Sequence, residues 1–126
     1  MRRKTIKIAI LTLLLNIANG IVAQPYIVGH RGSYWGVENT KDAFISGVQK
    51  GYHYLECDIK VAGDGTIVVS HDDSTKRLGG NLAVNKATLN ELKSETYTQT
   101  RGGVKYTGII CTLAEYLDIC AEYNVL

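Results

Sequence analysis

Proline is almost missing from this chain, since Pro25 is the only one among 126 residues. Thirteen glycines stand against it, which points to many tight turns and close backbone approaches. Cysteine is scarce as well. Cys57, Cys111 and Cys120 form no Cys-x-x-Cys pair and no Cys/His spacing, so the chain lacks the signature of a zinc site. An odd count leaves at least one of them unpaired. All three read as small buried hydrophobes, and a Cys111–Cys120 bridge would have to span part of a helix. No apolar run reaches the ~20 residues of a membrane-spanning helix. Repeats, low-complexity tracts and linkers are also lacking. With 45% hydrophobic and 21% charged residues, the composition is that of one small folded domain.

The first 23 residues stand apart. Arg2, Arg3, Lys4 and Lys7 precede a nearly unbroken apolar stretch, Ile8 to Leu15, and small residues follow at Ala18, Gly20 and Ala23. That is the layout of a secretory signal peptide. Cleavage after Ala23 leaves residues 24–126, with Gly20 as the alternative cleavage point. No cysteine lies near either position to take a lipid. Export to the periplasm or the extracellular space is expected, without stable membrane insertion of the mature chain. Of fourteen basic residues the leader takes four, leaving ten against twelve acidic ones, a net charge of −2. The basic balance of the whole chain therefore gives no case for nucleic-acid binding.

Along the remainder, Tyr26-Ile27-Val28-Gly29 reads as a buried strand ending at His30. Asn39 or Thr40 caps a helix with Ala43, Phe44, Gly47 and Val48 on one face, and Gly51 ends it in a left-handed conformation. Tyr54 to Lys60 reads as a second strand. Asp64-Gly65 is a hairpin turn, and Thr66 to Ser70 is the return strand. Thr88-Leu89-Asn90-Glu91 and Thr112-Leu113-Ala114-Glu115 are capping boxes. The second opens a helix with an apolar stripe at Leu113, Tyr116, Leu117 and Cys120, closed by Asn124. Val125-Leu126 begins another apolar run. Strand and helix alternate as in a parallel βα fold, with polar residues gathered at strand C-terminal ends. In a (β/α)8 barrel those ends carry the active site.

The chemistry lies in five residues. Glu56 and Asp58, two apart on one strand, share a face. Two carboxylates so placed repel unless a cation lies between them or one is protonated. With no nitrogen or sulfur ligand beside them, a hard divalent cation such as Mg²⁺ or Ca²⁺ suits them better than zinc. A solvated acidic pair is the bland alternative. His30 and His71 end strands on either side of this pair in sequence, and histidines there can move protons near neutral pH. Taken singly, each would be read as structural, as His53 is. Arg31 could hold phosphate oxygens through paired hydrogen bonds, or pair with Glu38. Tyr34 and Trp35 could wall a substrate's alcohol group or plug a barrel rim. Lys76 and Arg77 read as solvated, with phosphate contact as the lesser alternative.

His30-Arg31-Gly32, Glu38-Asn39-Thr40, Ala43-Phe44, Gly51, Glu56-x-Asp58, Asp64-Gly65 and His71-Asp72 together resemble the glycerophosphodiester phosphodiesterase family, from about Ile27 to the end. The resemblance implies a TIM (β/α)8 barrel, of which this chain would be an N-terminal portion. It implies a divalent cation and the hydrolysis of small-molecule glycerophosphodiesters to glycerol 3-phosphate and an alcohol. By the same resemblance His30 and His71 are the acid/base pair, Glu56 and Asp58 metal ligands, and Arg31 a phosphate contact. A further acidic ligand is expected beyond Leu126, so this stretch alone would be inactive. The family often places proline where Val37 and Cys111 stand; both are expected in connections, affecting loop shape only. Two alternatives stay open. One is a non-catalytic phosphate-binding or interaction module. The other is a related barrel acting on phospholipid head groups.

Overall fold

The computed structural model describes residues 25–126, so the expected leader at 1–23 lies outside the described residues. β1 (Val28–Gly29) pairs in parallel with β2 (Tyr54–Leu55), and α1 (Lys41–Gln49) connects them. β3 (Ile59–Val61), β4 (Ile67–Val69) and β7 (Cys111–Thr112) form an antiparallel sheet in the order β3-β4-β7. A single 3-10 turn (Lys76–Leu78) and α2 (Leu89–Ser94) follow β4. β5 (Tyr97–Arg101) and β6 (Val104–Gly108) make a separate hairpin, and α3 (Leu113–Tyr123) leaves directly from β7. Among the described residues no helix is long and apolar enough to cross a membrane.

Local signals account for most element ends. Both capping boxes form: Thr88 and Thr112 each accept from the backbone N–H three residues on, and Glu91 and Glu115 reach back. Gly51 (φ 80°) and Asn124 (φ 52°) take the left-handed conformation expected of them. At α1 the cap position falls to Thr40, yet its hydroxyl donates to the Val37 carbonyl at 2.7 Å rather than capping the helix.

Three expectations change. Residues 54–60 are not one strand. Gly29 O accepts the Glu56 N–H at 2.9 Å, and beyond that point β1 has already turned away at His30. Left without a parallel partner, the chain breaks over Glu56-Cys57-Asp58 and resumes as β3 against β4. The first strand is also shorter than Tyr26–Gly29. Tyr26, Ile27 and Val28 are exposed, because β1 has only β2 beside it among the described residues. On α3, Leu117 is exposed and Ile119 buried, so the apolar stripe is rotated from the expected one. Its anchor is Tyr116, packed edge-on against Phe44 at 4.8 Å and donating its hydroxyl to the Leu55 carbonyl at 2.7 Å.

Two apolar clusters result. Val37, Val68, Val84, Leu92, Tyr97 and Ile110 form one, and Phe44, Leu55, Val69, Cys111, Tyr116 and Ile119 the other. Successive residues Val68 and Val69 of β4 serve opposite clusters, as strand alternation requires. Val37 and Cys111 are fully buried. Cys111 is thus a core strand residue paired with Val69, not part of a connection, and burial pushes its thiol up to about 12. Its cysteine neighbours Cys57 and Cys120 are likewise free thiols. Phe44→Ala is expected to destabilise the protein by about 3–5 kcal/mol, the scale for emptying a buried aromatic site. The midpoint of chemical denaturation measures this.

Candidate active site

The site is built on the turn that ends β1. Gly32 N–H donates to Gly29 O at 3.1 Å, and a Cβ on Gly29 would lie 2.2 Å from the Gly32 oxygen. Only glycine fits there. Arg31 sits inside this turn with φ 58°, a left-handed conformation that few side-chain-bearing residues adopt. The twist lets neighbouring residues serve the same carboxylates. The Arg31 N–H donates to Glu56 Oε2 at 2.9 Å, and His30 Nε2 lies 4.0 Å from that oxygen. The Arg31 guanidinium meanwhile reaches Asp58 Oδ2 through Nε at 3.1 Å and Glu38 Oε1 through Nη1 at 3.1 Å. The Nε contact is an ion pair whose N–H points off the oxygen, so Nε is a buried donor without a hydrogen bond. The expected Arg31–Glu38 pair and a place beside the acidic residues therefore coexist.

Asn39 is a further member. It too is left-handed (φ 58°), its N–H donates to Arg31 O at 2.8 Å, and its Nδ2 donates to Asp58 Oδ2 at 3.1 Å. In sequence it reads as a candidate helix cap within the Glu38-Asn39-Thr40 segment, and nothing local links it to Asp58. Glu38, one residue earlier, is buried. Its oxygens accept from Arg31, from Gln99 at 3.1 Å and from Arg77 at 2.6 and 3.0 Å. Burial alone would raise its pKa, but the hydrogen bonds and charge of Arg77, with Gln99 and Arg31, outweigh it and hold the carboxyl at about 2.

Four of the five expected residues, His30, Arg31, Glu56 and Asp58, thus come together at the C-terminal ends of β1 and β2. His71 makes no hydrogen bond or ion pair with any of them. It stands past β4, with Nδ1 2.6 Å from Asp72 Oδ1. Arg77 is exposed, as expected, but it is not free: its Nε donates to Asp72 Oδ2 at 2.6 Å while its terminal nitrogens hold Glu38. A buried carboxylate within reach outcompetes water for a guanidinium. Lys76 remains exposed. His53 keeps the structural role expected of it, accepting from Ile27 N–H at 3.1 Å. Tyr34 and Trp35 pack edge-on at 5.9 Å on the rim, half-exposed, under Arg101 and Lys50. Among the described residues no group of three or more His, Cys, Asp or Glu side chains is arranged to hold a metal ion.

With this geometry in view, the comparisons with known proteins are decisive. Residues 29–125 match the model of the glycerophosphoryl diester phosphodiesterase family. The chain belongs to this family. A glycerophosphodiester phosphodiesterase of Caldanaerobacter subterraneus is 32% identical over 103 residues, covering 79% of this chain and 42% of the relative. The crystal structure of such an enzyme from Agrobacterium tumefaciens superposes with a TM-score of 0.68 at 27% identity, over 79% of this chain and 44% of that one. An Oleispira antarctica phosphodiesterase, solved in complex with the product sn-glycerol-3-phosphate, superposes with a TM-score of 0.66 at 28% identity, over 80% of this chain and 42% of that one. The chain thus spans less than half the length of these relatives, and its elements are the N-terminal part of their TIM-barrel fold.

The family pattern also contains what residue-by-residue reading passed over. Glu38 and Asp72 lie in its quoted segments, but nothing local in the sequence links either of them to Arg77.

Proposed function

We propose that this protein hydrolyses glycerophosphodiesters to glycerol 3-phosphate and an alcohol, as a metal-dependent enzyme exported by its N-terminal leader. The observation that carries the reading is the gathering of Glu56, Asp58, Arg31 and His30 at the ends of two parallel strands. The donor set suits a hard divalent cation, Mg²⁺ or Ca²⁺. Glu56 and Asp58 are partly exposed carboxylates, and the hydrogen bonds and ion pairs they accept fall on one oxygen of each, Oε2 and Oδ2. Glu56 Oε1 and Asp58 Oδ1 are left for a ligand. When bound, such a cation polarises a phosphoryl oxygen.

The rest falls to the chain's own groups. Arg31 Nη2 makes no hydrogen bond among the described residues and would meet a phosphate oxygen. One of His30 and His71 takes a proton from the attacking hydroxyl, of water or of the neighbouring glycerol carbon. The other gives a proton to the departing alcohol. The product bound to the Oleispira relative supports the choice of substrate class.

The test is hydrolysis of glycerophosphocholine by the full-length protein. Release of glycerol 3-phosphate is expected, abolished by chelator and restored by Mg²⁺ or Ca²⁺. Binding of glycerol 3-phosphate with no hydrolysis under any metal would instead identify a non-catalytic phosphate-binding module.

A further inference from the structure

Arg77 has no place in the chemistry above, yet three of its nitrogens are engaged by two carboxylates. Nη1 and Nη2 grip Glu38 at 3.0 and 2.6 Å, and Nε holds Asp72 at 2.6 Å. The other oxygen of Asp72 lies 2.6 Å from His71 Nδ1, and Glu38 also accepts from Arg31. His71-Asp72-Arg77-Glu38-Arg31 is therefore one continuous line of charge-assisted contacts. It joins the loop after β4 to the loop after β1, whose His71 and Arg31 share no hydrogen bond or ion pair of their own. We propose that Arg77 is a positioning residue that locks Asp72 against His71 and ties that histidine's loop to the Arg31 turn. The inference rests on the proposed role of His71 in proton transfer.

Chemistry gives the line a direction. An ionised carboxylate only accepts hydrogen bonds, so His71 Nδ1 must carry the proton in this contact. Nε2 is then the ring atom left to accept or give a proton. The ring is about half exposed on a loop, so without Asp72 nothing in these contacts would hold it. Asp72 in turn is fixed twice, by Arg77 on its side chain and by Ser70 Oγ, which donates to its carbonyl at 3.1 Å. The hydrogen bond from Arg77, with that from His71, holds the Asp72 carboxyl below the ordinary range and so keeps it ionised.

An exposed ion pair without further role is the plain alternative, since the Arg77 side chain is 44% exposed. Against it stands Glu38, with a side chain 6% exposed and two nitrogens of Arg77 on its two oxygens. A planar guanidinium can span two carboxylates in this way; a lysine ammonium, as a point charge, cannot.

The experiment compares Arg77→Met, Arg77→Lys, His71→Ala and the Arg77→Met/His71→Ala double variant in the full-length protein, with glycerophosphocholine as substrate. Arg77→Met is expected to lower kcat by about 10–100-fold with KM little changed, the scale for partners that orient a functional histidine. Arg77→Lys should recover only a small part of the loss. The double variant should be no slower than His71→Ala, because Arg77 acts through His71. The ¹⁵N signals of the His71 ring should report a protonated Nδ1 in the parent and a mixture of tautomers in Arg77→Met. Unchanged kcat with unchanged ring signals overturns the proposal, as does a double variant slower than His71→Ala by the full Arg77→Met factor. Should Arg77→Met fail to fold, Arg77→Lys is judged by the same two readouts. If His71→Ala itself turns over normally, the functional reading fails, and the ring signals alone then decide whether Arg77 positions His71.

Discussion

Replacing either His30 or His71 by alanine is expected to lower turnover of glycerophosphocholine by about 10²–10⁴-fold, the contribution usual for a general acid or base. The geometry makes this a clean test. The His30 side chain is 74% exposed and that of His71 44% exposed, and neither belongs to an apolar cluster. Surface changes of this kind usually alter stability by no more than about 0.5 kcal/mol, so lost activity would not reflect unfolding. His53→Ala supplies the comparison. That ring accepts a backbone hydrogen bond from Ile27 and makes no hydrogen bond or ion pair with Glu56 or Asp58, and its loss should leave turnover near that of the parent. Near-normal turnover of both His30→Ala and His71→Ala would refute the assignment.

The largest expected pH-dependent effect on stability is at Glu38. Glu38→Gln leaves two guanidiniums facing a neutral amide, that of Arg31 largely buried and that of Arg77 partly exposed. Breaking a buried charged network costs about 3–5 kcal/mol. The lower end, about 3 kcal/mol, applies here because the Arg77 side chain can turn to water. The effect has a definite pH signature. Burial raises the Glu38 pKa, the arginines and Gln99 lower it further, and it falls from 4.5 to about 2. A carboxyl depressed in the folded state stabilises fully above its unfolded value, and that stabilisation is lost as pH falls toward the folded one. The parent should therefore lose stability between pH 4.5 and about 2 more steeply than Glu38→Gln does. Denaturation midpoints of both proteins at pH 7 and pH 3 measure the difference. Parallel pH curves, or equal midpoints at neutral pH, would contradict the network as described.

What was legible in the sequence follows from how local each feature is. Capping boxes, the Asp64-Gly65 turn and the helix-ending Gly51 involve residues within a few positions of one another, and they formed as read. Glu56 and Asp58 were recognisable by type and spacing. The break in their strand was not, because it depends on where a different strand, β1, turns away. The β5–β6 hairpin carried a signal that was passed over: Gly102-Gly103, both at positive φ, joins two five-residue runs rich in threonine and tyrosine. The Arg77–Glu38 pair bridges 39 positions and leaves no local trace. Reading Arg77 as solvated matches its exposure but misses its two carboxylate partners, since a lone arginine after a strand usually has none. The family pattern reached further because it records which distant residues share one site.

The left-handed backbone at Arg31 and Asn39 has a consequence for how this protein could change. Such conformations are held at an expense of about 1–3 kcal/mol each, and glycine would adopt them freely. Yet among the described residues only these two side chains hold Asp58 Oδ2 in place. Breeding the protein for heat resistance alone would thus press both positions toward glycine, and the hardier descendants would be the ones with a slack acidic site.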